Sequence, residues 1–372
     1  MQDDLLVVGG SFAGLRCASV AAESGIRVRL LERKPTSGSR VHTTGILVKE
    51  AAELLDVPAR FVRKLDGVRL YSPALRTIDL VSPGYHFLAT DTEAVLDWMA
   101  VQASCAGVRL DYASHVSVLD KHDKGISLNH GQFSGRYLVG ADGPRSTIAR
   151  LSGLDTNKQF LFGVEAGYRN IKGLDESLMH VFIDPQLAPG YIAWVLPGVE
   201  MTQIGLAARR PHKPQLDRFI SKLERVFDLS RAERLEYRAG LIPCGGTLKN
   251  TAKENVMLLG DAAGTVSPLT AGGIYPALAT AEHAGIAIAD YLLEAGPEPS
   301  RIVRQFMPKY RSKKLMRYGY DAMPNSVHAL EFMFRSPLFS MLAQTIFYHH
   351  RGLFSRAAWQ DLWRVCRGGN NG

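Results

Sequence analysis

An α/β fold, with a discontinuous parallel-sheet domain and an inserted antiparallel block, is what this sequence predicts. Three stretches carry the prediction. Leu5 to Val8 is a short apolar run that enters Gly9-Gly10-Ser11-Phe12-Ala13-Gly14 and then residues with helical spacing. Tyr137 to Val139 is a second buried run, entering Gly140-Ala141-Asp142-Gly143-Pro144-Arg145-Ser146. Val256 to Leu259 is the third; it enters Gly260-Asp261, a small-residue loop with Pro268 and Gly272-Gly273, and a helical pattern from Ile274. Brief apolar strands that end in glycine turns and open helices are the mark of a parallel sheet with crossover connections.

The elements follow in chain order. After the first glycine turn, Leu15, Ala18, Val20 and Ala22 recur with helical spacing and Gly25 supplies a stop. Val28 to Leu31 is the next strand and ends on Glu32-Arg33. A right-handed crossover makes it the parallel neighbour of the first strand. Residues 67–87 read as short strands broken by Ser72-Pro73 and Ser82-Pro83-Gly84, and Thr92 to Ala106 as a helix. Ser114 to Asp120 and Ile126 to Asn129 alternate like a hairpin. Phe160 to Ala208 is rich in alternating strands, followed by a helix over Leu216 to Val226 and a strand near Leu235 to Ile242. The helix from Ile274 runs to about Leu293, and beyond Gly296-Pro297 the tail is helical, basic and aromatic. These pieces divide into a discontinuous domain of residues 1–66, 90–155 and 245–295, a β-sheet domain of 67–89 and 156–244, and a helical C-terminal region, 296–372.

Composition narrows the function. A chain of 372 residues accommodates two domains or one large discontinuous one, and 46% hydrophobic with 22% charged residues is ordinary for a globular protein. The formal net charge is +8, with much of the excess in Arg301, Arg304, Lys309, Arg311, Lys313, Lys314, Arg317, Arg351, Arg356, Arg364 and Arg367. There is neither a helix-turn-helix signature nor a zinc-finger spacing, so no nucleic-acid partner is expected. The basic tail leaves two readings open: attraction to an anionic membrane surface or acidic substrate, and a solvated basic face. Cys17, Cys105, Cys244 and Cys366 form no CxxC pair, and Met1-Gln-Asp-Asp runs straight into a strand without a leader, so a reduced cytoplasmic protein is expected. No apolar run reaches the roughly 18 residues that span a bilayer. The nearest, Ser336 to Tyr348, reads as a buried or an interfacial helix. His42, His86, His180 and His283 show no ligand spacing, and no metal is expected. Of these, His42 alone adjoins a suspected site residue and is a candidate proton donor.

The motifs carry chemistry. In the first, Gly9, Gly10, Ser11 and Gly14 bring backbone N–H groups to a helix N-terminus, where a pyrophosphate is held, and Glu32 can take a ribose hydroxyl pair. Ser11 replaces the middle glycine of the usual fingerprint, and Glu32 favours FAD or NAD over NADP. In the second, Asp142-Gly143 again follows a strand and Ser146 can cap a short helix. In the third, Gly260-Asp261 presents a carboxylate to a polyol, and the N–H groups around Gly272, Gly273 and Ile274 can hold a group that gathers negative charge.

Together the three motifs resemble those of the flavoprotein superfamily of para-hydroxybenzoate hydroxylase, and within it most the geranylgeranyl reductases and FixC-like dehydrogenases. The likeness spans residues 4–295 and rests on GGSFAG…E, GADGPRS and GDAAGTVSPLTAGGIYPAL. The third motif lacks the histidine and Gly-Gln-Gly of the hydroxylases and is similar to the reductases' wording. Gly190-Tyr191-Ile192-Ala193-Trp194-Val195-Leu196-Pro197 is similar to the reductases' Y-x-W-x-F-P, with one extra residue between Tyr and Trp and Leu196 for Phe. The chain departs at Arg40-Val41-His42, where the reductases often carry a cysteine, and at Asp91-Thr92-Glu93, where hydroxylases often carry an arginine.

The resemblance implies a discontinuous, Rossmann-type, three-layer FAD-binding domain with a β-sheet substrate domain. It implies that Gly9, Gly10, Ser11 and Gly14 hold the pyrophosphate and Glu32 the adenosine ribose, with Arg33 and Arg40 near the phosphates. Asp142 and Gly260 join the same cradle. Asp261 would meet the pyrophosphate or ribityl chain, and Pro268, Gly272, Gly273 and Ile274 the isoalloxazine edge. Tyr191 and Trp194 would line the substrate cavity. The implied enzyme is an FAD-dependent oxidoreductase that reduces a C=C bond of a lipophilic isoprenoid or polyketide-like substrate. No second glycine fingerprint is present, so NAD(P)H, or another electron donor, would bind transiently. The alternatives are an FAD-dependent aromatic monooxygenase using NAD(P)H and O2, and a non-catalytic flavoprotein or membrane-docking partner.

Overall fold

The structure, a computed structural model, describes residues 2–123, 125–322 and 326–348. The chain forms two compact units: Met1–Val62, Thr90–Leu161 and Arg238–Lys314 make the first, and Arg63–Ala89, Phe162–Tyr237 and Leu315–Gly372 the second. The sequence-derived helical region 296–372 is divided between them at Lys314.

The first unit is built on an eight-stranded sheet. Its parallel strands lie in the spatial order Val256–Leu258, Phe133–Gly140, Asp3–Val8, Val28–Leu31, Arg109–Asp111. The first strand of the chain is therefore central. Leu5 pairs with Val28 on one side and with Tyr137 on the other. The strand order reverses between Asp3–Val8 and Phe133–Gly140, and in such sheets the crevice at the carboxyl ends of the strands is where ligands bind. Leu5, Leu6, Leu30, Leu31, Leu138 and Val139 are fully buried. Helices on both faces of a parallel sheet demand such unbroken apolar runs.

The helix Phe12–Glu23 packs on the long helix Ile274–Leu292, joined by an Arg16–Glu282 ion pair at 3.1 Å. Cys17 is buried in this pair, and desolvation pushes its thiol up to about 12, which keeps it an inert core residue. The helix Thr92–Cys105 packs against the same opening helix and is capped by Asp91, whose Oδ1 accepts from the Ala94 N–H at 3.1 Å.

The expected hairpin forms with shifted bounds, Leu119–His122 against Gly125–Leu128. Asn129 is the reason. Its side chain accepts from the Ser117 and Val118 N–H groups and donates to the His115 carbonyl, so residues before Leu119 bond to a side chain instead of a ladder. The expected strand at Tyr137 is also longer, Phe133–Gly140, because Phe133 to Gly135 pair with the hairpin.

The second unit holds most of a seven-stranded sheet in the order Glu233–Pro243, Phe160–Arg169, Thr202–Arg209, Ala193–Pro197, Leu178–Phe182, Gly67–Tyr71, Thr77–Val81. The helix Leu216–Leu223 covers one face, with Phe219 edge-on to Phe182 at 5.1 Å. His180 is a satisfied core residue: its Nδ1 accepts from the Tyr71 hydroxyl at 2.9 Å and its Nε2–H donates to the Asp175 carbonyl at 2.9 Å. Desolvation holds its pKa below the ordinary histidine value.

Ser336 to Tyr348 becomes the helix Pro337–Tyr348, tied to Thr77–Val81 through Tyr348 Oη on the Leu80 carbonyl and Gln344 on the Val81 carbonyl. Arg317, one of the expected surface cations, is instead buried and paired with Asp321 at 2.8 Å. Arg351, Arg356, Arg364, Arg367 and Cys366 lie outside the described residues. No helix among the described residues is long and apolar enough to cross a membrane, and no cluster of three or more metal-ligating side chains occurs among them.

Removing the cap tests the local account of the helix Thr92–Cys105. Asp91→Ala should destabilise the protein by about 1 kcal/mol in urea denaturation without loss of secondary structure by circular dichroism; an unchanged midpoint would refute the capping role.

Candidate functional site

Three strand ends converge in the first unit. Gly9 has a φ of +110°, and its N–H donates to the Leu31 carbonyl at 2.9 Å. A Cβ on Gly9 would collide with the Ala141 carbonyl oxygen, and one on Gly14 with the carbonyl oxygen of Gly9. The first turn thus packs its backbone on the second motif, and its helix on its own strand end, only because no side chain intervenes. Ala13 abuts Gly260 of the third motif in the same way. Asn157 completes the join: its Nδ2 donates to the Asp261 carbonyl at 2.8 Å and the Pro144 carbonyl at 3.2 Å, linking the second motif to the third.

Two helices open here with neither a side-chain cap nor an acid in their own first turn. The helix Phe12–Glu23 starts at Ser11, whose hydroxyl makes no capping bond, and has no acid in its first turn. The helix Ile274–Leu292 starts at Gly273, also without a side-chain cap or a first-turn acid. The N–H groups of Gly272, Gly273 and Ile274 have no acceptor among the described residues. A tight loop delivers them: the Ser267 N–H bonds the Gly272 carbonyl at 3.0 Å, and Pro268 lies within that loop. Each uncapped terminus carries roughly half a positive charge and is a locus for an anion.

Asp261 lies in the same cradle. Its carboxyl is partly buried, has no hydrogen-bond partner among the described residues, and stands with Oδ1 beside the Gly273 backbone. Desolvation pushes it up to about 6. Such a group gains from any hydroxyl brought to it. Glu32 ends the second strand, 5% exposed, and accepts from the Gly10 N–H at 2.6 Å and the Lys34 N–H at 2.9 Å. Lone pairs remain on both oxygens for a ribose. Arg33 and Arg40 are exposed, with guanidinium groups that find no partner among the described residues. The loop carrying them is braced by Lys34 Nζ on the Ser37 carbonyl and the Gly38 N–H on Asp97.

Two expected site residues are engaged differently from a simple motif reading. Asp142 spends both oxygens as a helix cap: Oδ1 accepts from the Ser146 hydroxyl at 2.6 Å, and Oδ2 from the Thr147 and Ile148 N–H groups. The Ser146 hydroxyl in turn accepts from the Ala149 N–H, the cap expected of it. His42 donates from Nδ1 to the Ala239 carbonyl at 3.1 Å, which leaves Nε2 as an acceptor. Desolvation, with nearby cations, holds its pKa below the ordinary value. Neutral His42 therefore presents Nε2 as an acceptor.

Tyr191 and Trp194 belong to the second unit. Both are buried; the Tyr191 carbonyl accepts from the Tyr320 hydroxyl at 3.2 Å, and the Trp194 N–H donates to Glu165 Oε2 at 2.6 Å. Asn157 and Glu165 escape sequence reading. Neither sits in a motif, and each acquires its part only through partners more than a dozen residues away.

A family model described as an NAD(P)-binding Rossmann-like domain matches residues 7–71. The chain is 28% identical over 310 residues to digeranylgeranylglycerophospholipid reductase 2 of Methanosphaera stadtmanae, covering 78% of each chain. In fold it is similar to a geranylgeranyl bacteriochlorophyll reductase-like protein of Thermoplasma acidophilum, with a TM-score of 0.81 and 20% identity over 98% of this chain and 99% of that one. It is also similar to the flavin-dependent brominase Bmp2, with a TM-score of 0.71 and 15% identity across both whole chains. The chain has the α/β fold of these flavin-dependent and reductase-like proteins.

The residues present fit FAD: the two helix termini without side-chain caps would suit its pyrophosphate and the flavin edge that gathers negative charge on reduction, a carboxyl lacking a donor would suit its polyol, and the glycines at 9 and 14 would let the turn approach the pyrophosphate.

The raised pKa of Asp261 has a sign that can be checked. A folded carboxyl that holds its proton more tightly than the unfolded one stabilises the protein at low pH, and this contribution is lost as pH rises from about 4 to about 6. Asp261→Asn should therefore remove a downward step of about 2–3 kcal/mol in the stability of flavin-free protein across that window. Urea denaturation at several pH values decides it, and parallel curves for the two proteins would refute the assignment.

Proposed function

We propose that this protein is an FAD-dependent oxidoreductase that reduces a C=C bond of a lipophilic, isoprenoid-like substrate, with NAD(P)H or another donor bound transiently. The observation that carries the proposal is the uncapped N-terminus of Ile274–Leu292 beside the unpartnered carboxyl of Asp261. Likeness to a digeranylgeranylglycerophospholipid reductase supports the substrate class.

Bound FAD would supply hydride at the substrate carbon, a capacity that no protein side chain has. The chain's own residues do the rest. Gly9, Gly10, Ser11 and Gly14 seat the pyrophosphate, Glu32 holds the ribose, and Arg33 and Arg40 bring positive charge toward the phosphates. Gly260 lets the third motif approach, and Asp261 orients the ribityl chain. The N–H groups of Gly272, Gly273 and Ile274, delivered by the loop through Pro268, stabilise negative charge at the flavin ring edge. Asp142 supports the site by holding the second turn in shape. Tyr191 and Trp194 line the substrate site in the second unit. His42, an acceptor at Nε2, relays a proton only after taking one from solvent.

A peripheral position at a membrane, on its cytoplasmic side, completes the proposal. Leu315, Phe332 and Leu338 are 73%, 76% and 74% exposed, in a helical region that also carries exposed Arg335. Apolar side chains beside cations suit an anionic bilayer surface.

Purified protein should carry yellow, bound flavin, and Asp261→Ala should weaken FAD affinity at least about tenfold by titration of the flavin-free form, the loss of one charge-assisted hydrogen bond. Colourless protein with FAD affinity indifferent to this change would overturn the cofactor assignment. The fold likeness to flavin-dependent brominase Bmp2 keeps an oxygen-using reaction as the second reading. Anaerobic reduction of a prenyl substrate supports the reductase, and oxygen uptake stoichiometric with product would replace it.

A further inference from the structure

We infer that the outer edge of the strand Glu233–Pro243 is a docking surface for a second copy of this chain, joined antiparallel about a twofold axis at Leu235. The inference goes beyond the reaction proposed above and does not depend on it.

The strand is the last of its sheet, with a neighbour, Phe160–Arg169, on one side only. Cys244 stands beside Gln159 and Glu236 beside Gly167, so the two strands run antiparallel. In such a ladder the N–H and C=O of one residue point to the same side, and successive residues alternate. The Cys244 N–H donates to the Gln159 carbonyl at 3.0 Å, toward the neighbour. Even-numbered residues therefore face the neighbour and odd-numbered ones face away. The Ala239 carbonyl agrees, since it accepts from a side chain, His42 Nδ1, at 3.1 Å. His42 thus closes the edge at Ala239. Ahead of it, Glu233, Leu235 and Tyr237 turn their N–H and C=O groups outward, where they meet no partner among the described residues. Leu235 is 44% exposed and Tyr237 55%. An open strand edge of this kind is a template for another strand.

Charge selects the occupant and the register. Two copies of this edge pair only when outward residues oppose outward residues. Leu235 opposite Leu235 of the second copy sets Glu233 against Tyr237 and Arg234 against Glu236, each twice by symmetry. Opposite charges across a strand pair stabilise it, and like charges do the reverse. Sliding the second copy two residues one way sets Arg234 against itself. Sliding it two the other way sets Glu236 against itself and Arg234 against Arg238. Two residues further, Leu235 would meet Ala239, where His42 already sits. One register therefore satisfies both backbone and charge. In it the outward groups of Glu233, Leu235 and Tyr237 are all paired, and the two Leu235 side chains cover each other. Arg234 already leans along this edge, its guanidinium 5.1 Å from the centroid of the Tyr237 ring.

Sedimentation velocity of the whole, flavin-loaded chain from about 1 to about 100 μM tests this, and a concentration-dependent dimer is expected. Arg234→Glu turns two attractive pairs into repulsive ones and should raise the dissociation constant at least about tenfold. Adding Glu236→Arg to it reverses both charges and should restore the wild-type value. Leu235→Pro should abolish the dimer and leave the secondary structure intact by circular dichroism, because the N–H it removes points away from Phe160–Arg169. Protein that stays monomeric throughout overturns the inference. So does a dimer that keeps its affinity in Arg234→Glu or in folded Leu235→Pro, since it forms through another surface. A double variant no tighter than Arg234→Glu overturns the register, and with it the inference, and decides the matter if Leu235→Pro does not fold.

Discussion

Everything in the first unit depends on the parallel pairing of Asp3–Val8 with Phe133–Gly140. That pairing places the reversal of strand order at the middle of the sheet, and with it the crevice into which three chain segments end. The pairing spans well over a hundred residues, so its loop-closure cost must be met by burial. The fully apolar faces of Leu5, Leu6, Tyr137, Leu138 and Val139 provide it. With side chains at Gly9 and Gly14 the same strands would still pair, but the turns above them would be forced apart.

The crevice is polarised by what is left out. Helix N-termini in globular proteins are commonly answered by Ser, Thr, Asp or Asn, and this chain uses such caps elsewhere: Asp91, Ser146, Glu298 and Ser326 all accept from their helices' first N–H groups. The two helices that open on the crevice have none. At these two termini no cap of the helix's own competes with a ligand for the N–H groups. Asp261 complements them, a carboxyl desolvated by its surroundings and lacking a donor of its own.

Much of this was legible along the chain. Strand, glycine turn and helix are local patterns, so the parallel core, the uncapped helix beginning at Ile274 and the Ser146 cap could be read from neighbouring residues. What local pattern misplaced was also instructive. The strand expected from Ser114 begins at Leu119 because the Asn129 side chain takes the backbone N–H groups of Ser117 and Val118, a competition between side chain and ladder that periodicity does not register. Arg317 looked like one more surface cation in a basic tail and proved to be a buried partner of Asp321.

By itself the sequence determined where backbone N–H groups, glycines and carboxyls can be presented, because a strand end, a turn and a helix start are settled by residues within a few positions of one another. The tertiary structure alone decided which of those groups stay free. Asp142 and Asp261 both follow a glycine at a strand end, yet one is consumed by a cap and the other left without a donor. His42 is turned into an acceptor by a carbonyl nearly two hundred residues away, and the Trp194 N–H is taken by a carboxyl on another strand. A hydrogen bond is satisfied by whichever partner the fold brings within about 3 Å, and that partner has no necessary nearness in sequence.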